Sequence, residues 1–205
     1  MKYTAREGGG ILKEAATNEL KKIIQEATLR LAENRTGFFR MFSAKHEFSG
    51  EWHRFLHPNS TDDKQNLSVN FTQQHFPFQF RRKTLQISMI EVFMLIEDPA
   101  IYAEDNSPYA QAVPLKFMLT APAEANASEV DLLRDPTAGG LPHGIVNFGN
   151  QPKTLGLWKI EVMESDISLI AEELQFTDSD AHDRLKPDAI TDLIVVCRYR
   201  LQTVP

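Results

Sequence analysis

The chain has 205 residues, enough to bury a sizeable core in one large domain or in one domain with an appendage. With 42% hydrophobic and 24% charged residues, the composition is that of an ordinary globular protein and argues against fibrous and disordered classes. The formal net charge of -6 gives no attraction to the phosphates of nucleic acids, and the single cysteine excludes an intrachain disulfide.

The N-terminus resembles the end of a β-strand that runs into the start of a helix. Residues Met1 to Gly10 read MKYTAREGGG, and the last apolar run, Leu193 to Arg200, ends in a similar basic and aromatic pattern. We therefore expect a fragment of a longer protein with two modules in series. Neither a signal peptide nor an apolar window of the roughly 18 to 20 residues that span a bilayer is evident, so we expect a soluble segment.

An amphipathic helix is predicted over residues 11–34. Apolar or small residues recur there at a spacing close to 3.6, with polar residues between them. These residues are Leu12, Ala16, Leu20, Ile23, Ala27 and Leu31. At about 1.5 Å per residue the helix is roughly 36 Å long. We therefore predict that residues 1–37 hold a strand remnant and this helix, and that residues 38–205 form a separate module.

Residues 38–205 show the alternation that is typical of β-strands. Strands are predicted at Leu67–Phe71, Thr84–Ile96, Leu115–Leu119, Trp158–Val162 and Leu193–Leu201. The apolar phase changes near Ile90, which indicates a bulge. Short strands without βαβ alternation predict a mainly β protein, an antiparallel β-sandwich preceded by the long N-terminal helix.

Two regions between these strands are less regular. Residues 121–153 are rich in Ala, Pro, Gly and Asn, and we expect a long surface excursion with little room for core strands. The stretch from Asp166 to Leu174 fits either a short helix or an edge strand.

No motif in the sequence assembles a catalytic, cofactor or metal site. His53 and His57 have the spacing of a metal pair on a helix, but no third ligand is near and the segment does not read as helical. The acidic residues from Asp178 to Asp183 lack the Gly and Glu of a calcium loop and are interpreted as a solvated loop. Cys197 is in phase with apolar neighbours and is predicted to be buried. We expect a binding module and no enzyme.

Several sequence blocks resemble the C-terminal region of bacterial Tc toxin A subunits. Tyr3–Gly9 (YTAREGG) is similar to the junction that follows the B-subunit-binding region of that family. Phe42–Phe48 (FSAKHEF) and Glu51–Phe55 (EWHRF) resemble the block after this junction, and the similarity continues more loosely through His75–Phe78 to the strand at Asp192–Arg198.

The resemblance implies a non-catalytic structural and protein-interaction module of a secreted toxin complex. In that family the pentameric A subunit forms a pore and attaches to the host, and its C-terminal region supports docking of the B–C component that holds the toxic enzyme. The implied partners are the rest of the A subunit and the B subunit, with no nucleic acid, no cofactor and no direct membrane insertion. The parent is expected to be homo-oligomeric and extracellular.

The alternative is a β-sandwich that binds a glycan or a host receptor, because such folds often place aromatic and acidic residues in their loops. The candidate contacts for this interaction surface are Trp52, Tyr102, Tyr109, Asp178, Asp180 and Asp183.

Overall fold

The structure is a computed structural model that describes residues 37–102 and 113–202. The chain divides into two units, Met1–Phe38 and Phe39–Pro205. The described residues belong to the second unit, apart from Gly37 and Phe38. The predicted strand remnant, the predicted helix over residues 11–34 and Tyr109 lie outside the described residues. The predicted boundary after residue 37 stays a prediction.

The chain is mainly β, and its sheets are antiparallel, as the sequence predicts. In chain order the described strands are β1 (Phe38–Ser43), β2 (Lys64–Phe71), β3 (Leu85–Ile96), β4 (Lys116–Thr120), β5 (Ser128–Asp131), β6 (Leu133–Asp135), β7 (Leu141–Asn147), β8 (Lys153–Thr154), β9 (Gly156–Met163), β10 (Gln175–Thr177), β11 (Asp183–Leu185) and β12 (Ile190–Leu201).

The described helices are short. The α-helices are α1 (Ala44–Glu47), α2 (Ser49–Leu56) and α3 (Glu164–Ile167). Single 3₁₀ turns occur at Gln73–His75, Phe78–Phe80, Pro99–Ile101, Pro136–Ala138 and Glu172–Leu174. Within residues 37–102 and 113–202, every helix is too short or too polar to cross a lipid bilayer.

The strands form three sheets. A six-stranded sheet has the order β1-β12-β3-β7-β6, and β8 pairs with β3 beside β7. A four-stranded sheet has the order β2-β9-β4-β5, and β10 pairs with β11 in a separate hairpin. Every pairing whose register is defined is antiparallel.

The pairing of β3 with β12 is the longest in the structure, with eleven residue pairs from Ile190 opposite Ile96 to Leu201 opposite Leu85. The register shifts between the pair of Met89 with Arg198 and the pair of Ile87 with Tyr199. Burial changes phase at the same point, since Met89 and the next residue are both buried. The bulge predicted near Ile90 is therefore confirmed.

The prediction for residues 121–153 is wrong, because this stretch contains β5, β6 and β7. Strand β7 pairs with β3 over five residues in the six-stranded sheet. Its buried positions are Pro142 and Gly144, which give no apolar alternation in the sequence. A Cβ atom on Gly144 would lie 2.4 Å from Cγ1 of Val130, so the close approach of β5 requires glycine here.

Aromatic side chains connect the two larger sheets. Phe42 of β1 stacks on Phe71 of β2 with ring centroids 4.7 Å apart, and Phe148, after β7, lies 5.6 Å from Trp158 of β9. Phe42, Phe71 and Trp158 are at most 1% exposed. The inner faces of the two larger sheets therefore share one apolar core. Cys197 is buried in this core, as the sequence predicts.

Two segments contain helical structure. The sequence interpretation was wrong about the first and left the second open between a short helix and an edge strand. The segment around His53 is helical, contrary to expectation, and helix α2 buries Trp52, Phe55 and Leu56 at helical spacing. The stretch from Asp166 to Leu174 contains no strand: α3 ends within it at Ile167, residues 168–171 are turn and irregular backbone, and a 3₁₀ turn follows at Glu172–Leu174.

Two glycine substitutions test the packing of β7. Replacing Gly144 with alanine is expected to lower the free energy of unfolding by about 1–3 kcal/mol, because the added methyl group overpacks the contact with β5. Replacing Gly50 of α2 is the control, since an added Cβ there has no neighbour within 4 Å and alanine favours the helix by up to about 1 kcal/mol. Urea unfolding followed by circular dichroism measures both; equal effects would contradict the packing.

Candidate interaction surface

The solvent-facing side of the six-stranded sheet presents two rows of directly opposed residues. Side chains that are directly opposite in adjacent strands point to the same face. The first row runs Leu133, His143, Phe93, Ile194 across β6, β7, β3 and β12, and the second runs Ile145, Glu91, Val196 across β7, β3 and β12. We call these seven residues the outer face.

The outer face is apolar where the exterior of a sheet is usually polar. Leu133 and Ile145 are 58% and 53% exposed, and Phe93, Ile194 and Val196 are partly exposed. The opposite sides of β3 and β12 are buried in the core, so both strands have apolar residues on both faces. Apolar residues on both faces are typical of strands that are buried on both sides of the sheet. Contiguous exposed apolar patches mark interaction sites.

The terminal strand β1 adds further apolar surface to the six-stranded sheet. Phe39 is 52% exposed and Met41 is 59% exposed. The guanidinium carbon of Arg198, on the neighbouring strand β12, lies 4.8 Å from the centre of the Phe39 ring, a cation–π contact. This contact fixes the Phe39 ring beside β12.

A polar group lies in the middle of the outer face. The His143 ring stacks on Phe93 with centroids 4.0 Å apart and planes 3° from parallel. Its Nδ1 is 3.0 Å from Oδ2 of Asp135, and its Nε2 is 3.6 Å from Oε2 of Glu91. Hydrogen bonds from the amide and hydroxyl of Thr137 also reach Asp135, at 2.8 and 2.6 Å. One imidazole therefore lies between two carboxylates.

The two carboxylates are in different environments. The hydrogen bonds from Thr137, with a further one from His143, lower the pKa of Asp135. Among the described residues, none donates a hydrogen bond to the Glu91 carboxylate, whose nearest basic atom is Nε2 of His143 at 3.6 Å. Glu91 therefore has free acceptor capacity in apolar surroundings.

The acidic residues predicted as contacts form a structured hairpin between β10 and β11. Asp178 accepts hydrogen bonds from the amides of Asp180 and His182 and from Nε of Arg184. The amide of His182 is the main cause that lowers the pKa of Asp178, together with Arg184 and the amide of Asp180. Asp183 accepts a 3.0 Å bond from Thr177, and Asp180 is exposed.

Two of the predicted aromatic contacts, Trp52 and Tyr102, lie in the core. Trp52 is 6% exposed and packs on Phe55, and Tyr102 is 1% exposed. The Tyr102 hydroxyl donates to the carbonyl of Leu132 at 2.7 Å and accepts from the amide of Leu115 at 2.8 Å, and burial raises its pKa. Neither ring offers a surface for a ligand, because the apolar mass that made them candidates also drives their burial.

His53 and His57, which have the sequence spacing of a metal-binding pair, stack on each other. The rings of His53 and His57 stack at 4.4 Å, and Nδ1 of His57 lies 3.0 Å from the carbonyl oxygen of His53. In the part of the chain that the structure describes, no group of three or more His, Cys, Asp or Glu side chains is placed to hold a metal ion.

No protein-family model matches the sequence. Comparison with curated proteins also gives no match. The sequence interpretation missed the outer face, because its members are spread over four strands and only the register brings them together. The available signal was the density of apolar residues in β3 and β12.

The hydrogen bonds at Asp135 predict an acid-sensitive contribution to stability. Because folding lowers its pKa, this contribution is present above the unfolded pKa of about 3.9 and is lost as the pH falls through the lower folded value. We expect Asp135→Asn to reduce the loss of stability on acidification below about pH 4. The control is Asp188→Asn, which changes an exposed carboxylate. Urea unfolding at several pH values measures the effect, and identical pH profiles for both variants would contradict it.

Proposed function

We propose that residues 38–205 form a non-catalytic β-sandwich module, preceded by the amphipathic helix over residues 11–34, in a Tc toxin A-like subunit. The stacking of Phe42 on Phe71 and the tilted contact of Phe148 with Trp158 support two packed sheet layers. The blocks at Phe42–Phe48 and Glu51–Phe55 support the family. The role is structural and interactive: the module docks to another protein of a secreted toxin assembly.

The observation that supports docking best is the apolar outer face. Burying Ile145, Leu133 and their partly exposed neighbours against a partner removes apolar surface from water, at roughly 25 cal/mol per Å². Protein interfaces have such apolar centres with a few placed polar groups. The His143 ring between Asp135 and Glu91 supplies the polar group here.

The charge of the outer face favours one kind of occupant. Glu91 of the outer face and Asp135, which lies beside it against His143, are acidic, and Glu91 has unused acceptor capacity. A partner segment with apolar side chains around one lysine or arginine complements this surface. Carboxylates repel the phosphates of nucleic acids and of lipid headgroups. We therefore infer a protein partner, namely the rest of the A subunit or the B subunit.

A pair of aspartate substitutions tests the docking face. Ile145→Asp is expected to weaken binding of the full chain to the remainder of its A subunit or to the B–C component by at least about tenfold, or about 1.4 kcal/mol, because it buries a charge in the interface. Leu157→Asp is the matched control: Leu157 is 51% exposed but lies on β9 of the other sheet. Biolayer interferometry measures the affinities.

Thermal unfolding of both variants controls for folding, since both positions are exposed and should tolerate the change. Loss of binding in both variants, or in neither, contradicts the assignment of the outer face. Absence of binding by the unaltered chain to either component rejects the proposed function itself.

Neutralising Glu91 tests the basic residue that we infer on the partner. Glu91→Gln keeps the shape of the side chain, so we expect slower association and a smaller loss of affinity when salt is raised from about 50 to 300 mM. Glu129→Gln, which changes an exposed carboxylate paired with Lys116 on the other sheet, is the control. An unchanged salt dependence in Glu91→Gln would contradict a cationic contact.

A further inference from the structure

A polar groove lies where helix α2 meets the edge strand β2 of the four-stranded sheet. Its volume is about 240 Å³. It involves the end of α2, the loop that follows and the outward-facing side of β2. Its lining consists of charged side chains and uncharged polar ones.

Buried polar side chains fix the elements that line the groove. Gln65 is fully buried, and its Nε2 donates to the carbonyl of Phe55 at 2.6 Å while its Oε1 accepts from the amide of Leu185 at 2.7 Å. Arg184, 1% exposed, donates to the carbonyl of Asn59 at 3.4 Å and to Asp178 at 3.0 Å. The end of α2, the loop at Asn59 and β2 are thus held in place before any ligand binds, which lowers the entropic cost of binding.

The charged groups of the groove are already paired within the protein. Arg54 forms a 3.0 Å ion pair with Glu51, and Lys64 forms a 2.6 Å ion pair with Glu161. Asp62 accepts hydrogen bonds from the backbone and side-chain nitrogens of Asn59. An ionic ligand would have to compete with these internal partners. The groove therefore favours a neutral ligand.

The groove is also lined by uncharged side chains that can form hydrogen bonds with a ligand. Asn66 provides an amide that donates and accepts, and the Ser68 hydroxyl lies 3.3 Å from its oxygen. His57 is exposed and lines the groove, and one face of its ring stacks on that of His53. A sugar ring presents hydroxyl groups at its edge and C–H groups on its face, and this lining has groups for both.

We propose that the groove binds one neutral saccharide residue. Its volume is below the roughly 300–1,000 Å³ of typical small-molecule sites, which fits a single sugar unit and weak affinity. His57 would contact the face of the sugar, and Asn59, Asn66 and Ser68 would bond its hydroxyls. The site does not depend on the outer face, which lies on the six-stranded sheet, so each proposal can fail without the other.

Chemical-shift mapping of the full 205-residue chain tests the site. The probes are the methyl glycosides of glucose, galactose and N-acetylglucosamine, with glucuronate and N-acetylneuraminate as charged comparators. We expect one neutral probe to bind with a dissociation constant on the order of 1–10 mM and to shift amides in the groove. Asn66→Ala should weaken this binding at least about fivefold.

Asn70→Ala is the matched control, because Asn70 is exposed on the same strand but outside the groove. It should leave saccharide binding unchanged, and thermal unfolding should show both variants folded. The proposal is overturned if no neutral probe shifts the groove amides, if both variants bind equally, or if the charged sugars bind more tightly. None of these results affects the docking test on Ile145.

Discussion

The long pairing between β3 and β12 is the constraint on which the rest of the structure depends. These two strands are the centre of the six-stranded sheet, and β1 and β7 are hydrogen-bonded to their far sides. The shift in register at Met89 lets both halves of β3 direct apolar residues into the core. The same register aligns Phe93 with Ile194 and Glu91 with Val196 on the other side. One pairing therefore organises both the core and the outer face.

Much of the fold could be predicted because buried residues alternate with less buried ones in β2, β3, β4, β9 and β12. Strand β7 was not predicted because its buried positions are Pro142 and Gly144. At Gly144 the backbone packs closely against β5, so no large apolar side chain marks the strand in the sequence. Helix α2 was missed because its three buried apolar residues lie within a dense aromatic segment that periodicity alone does not resolve.

The residues of the candidate interaction surface could not be predicted from the sequence. Trp52 and Tyr102 were natural candidates as large amphipathic rings, but the fold places both in the core, where Tyr102 joins two loop backbones through its hydroxyl. Asp178 shapes its own hairpin with its carboxylate oxygens. The outer face has no sequence motif, since His143, Phe93 and Ile194 are far apart in the chain and meet through strand register. The only signal for the outer face in the sequence was the long apolar runs of β3 and β12.

The central claim is that a protein partner covers the outer face. Site-specific photocrosslinking tests it directly: a benzophenone side chain is placed at Ile194 of the outer face or, for comparison, at Leu157 on the other sheet. Irradiation with the proposed partners, the rest of a Tc toxin A-like subunit or the B–C component, is expected to give a covalent adduct from position 194 and none from position 157. Adducts from position 157 alone, or from neither position, would contradict it.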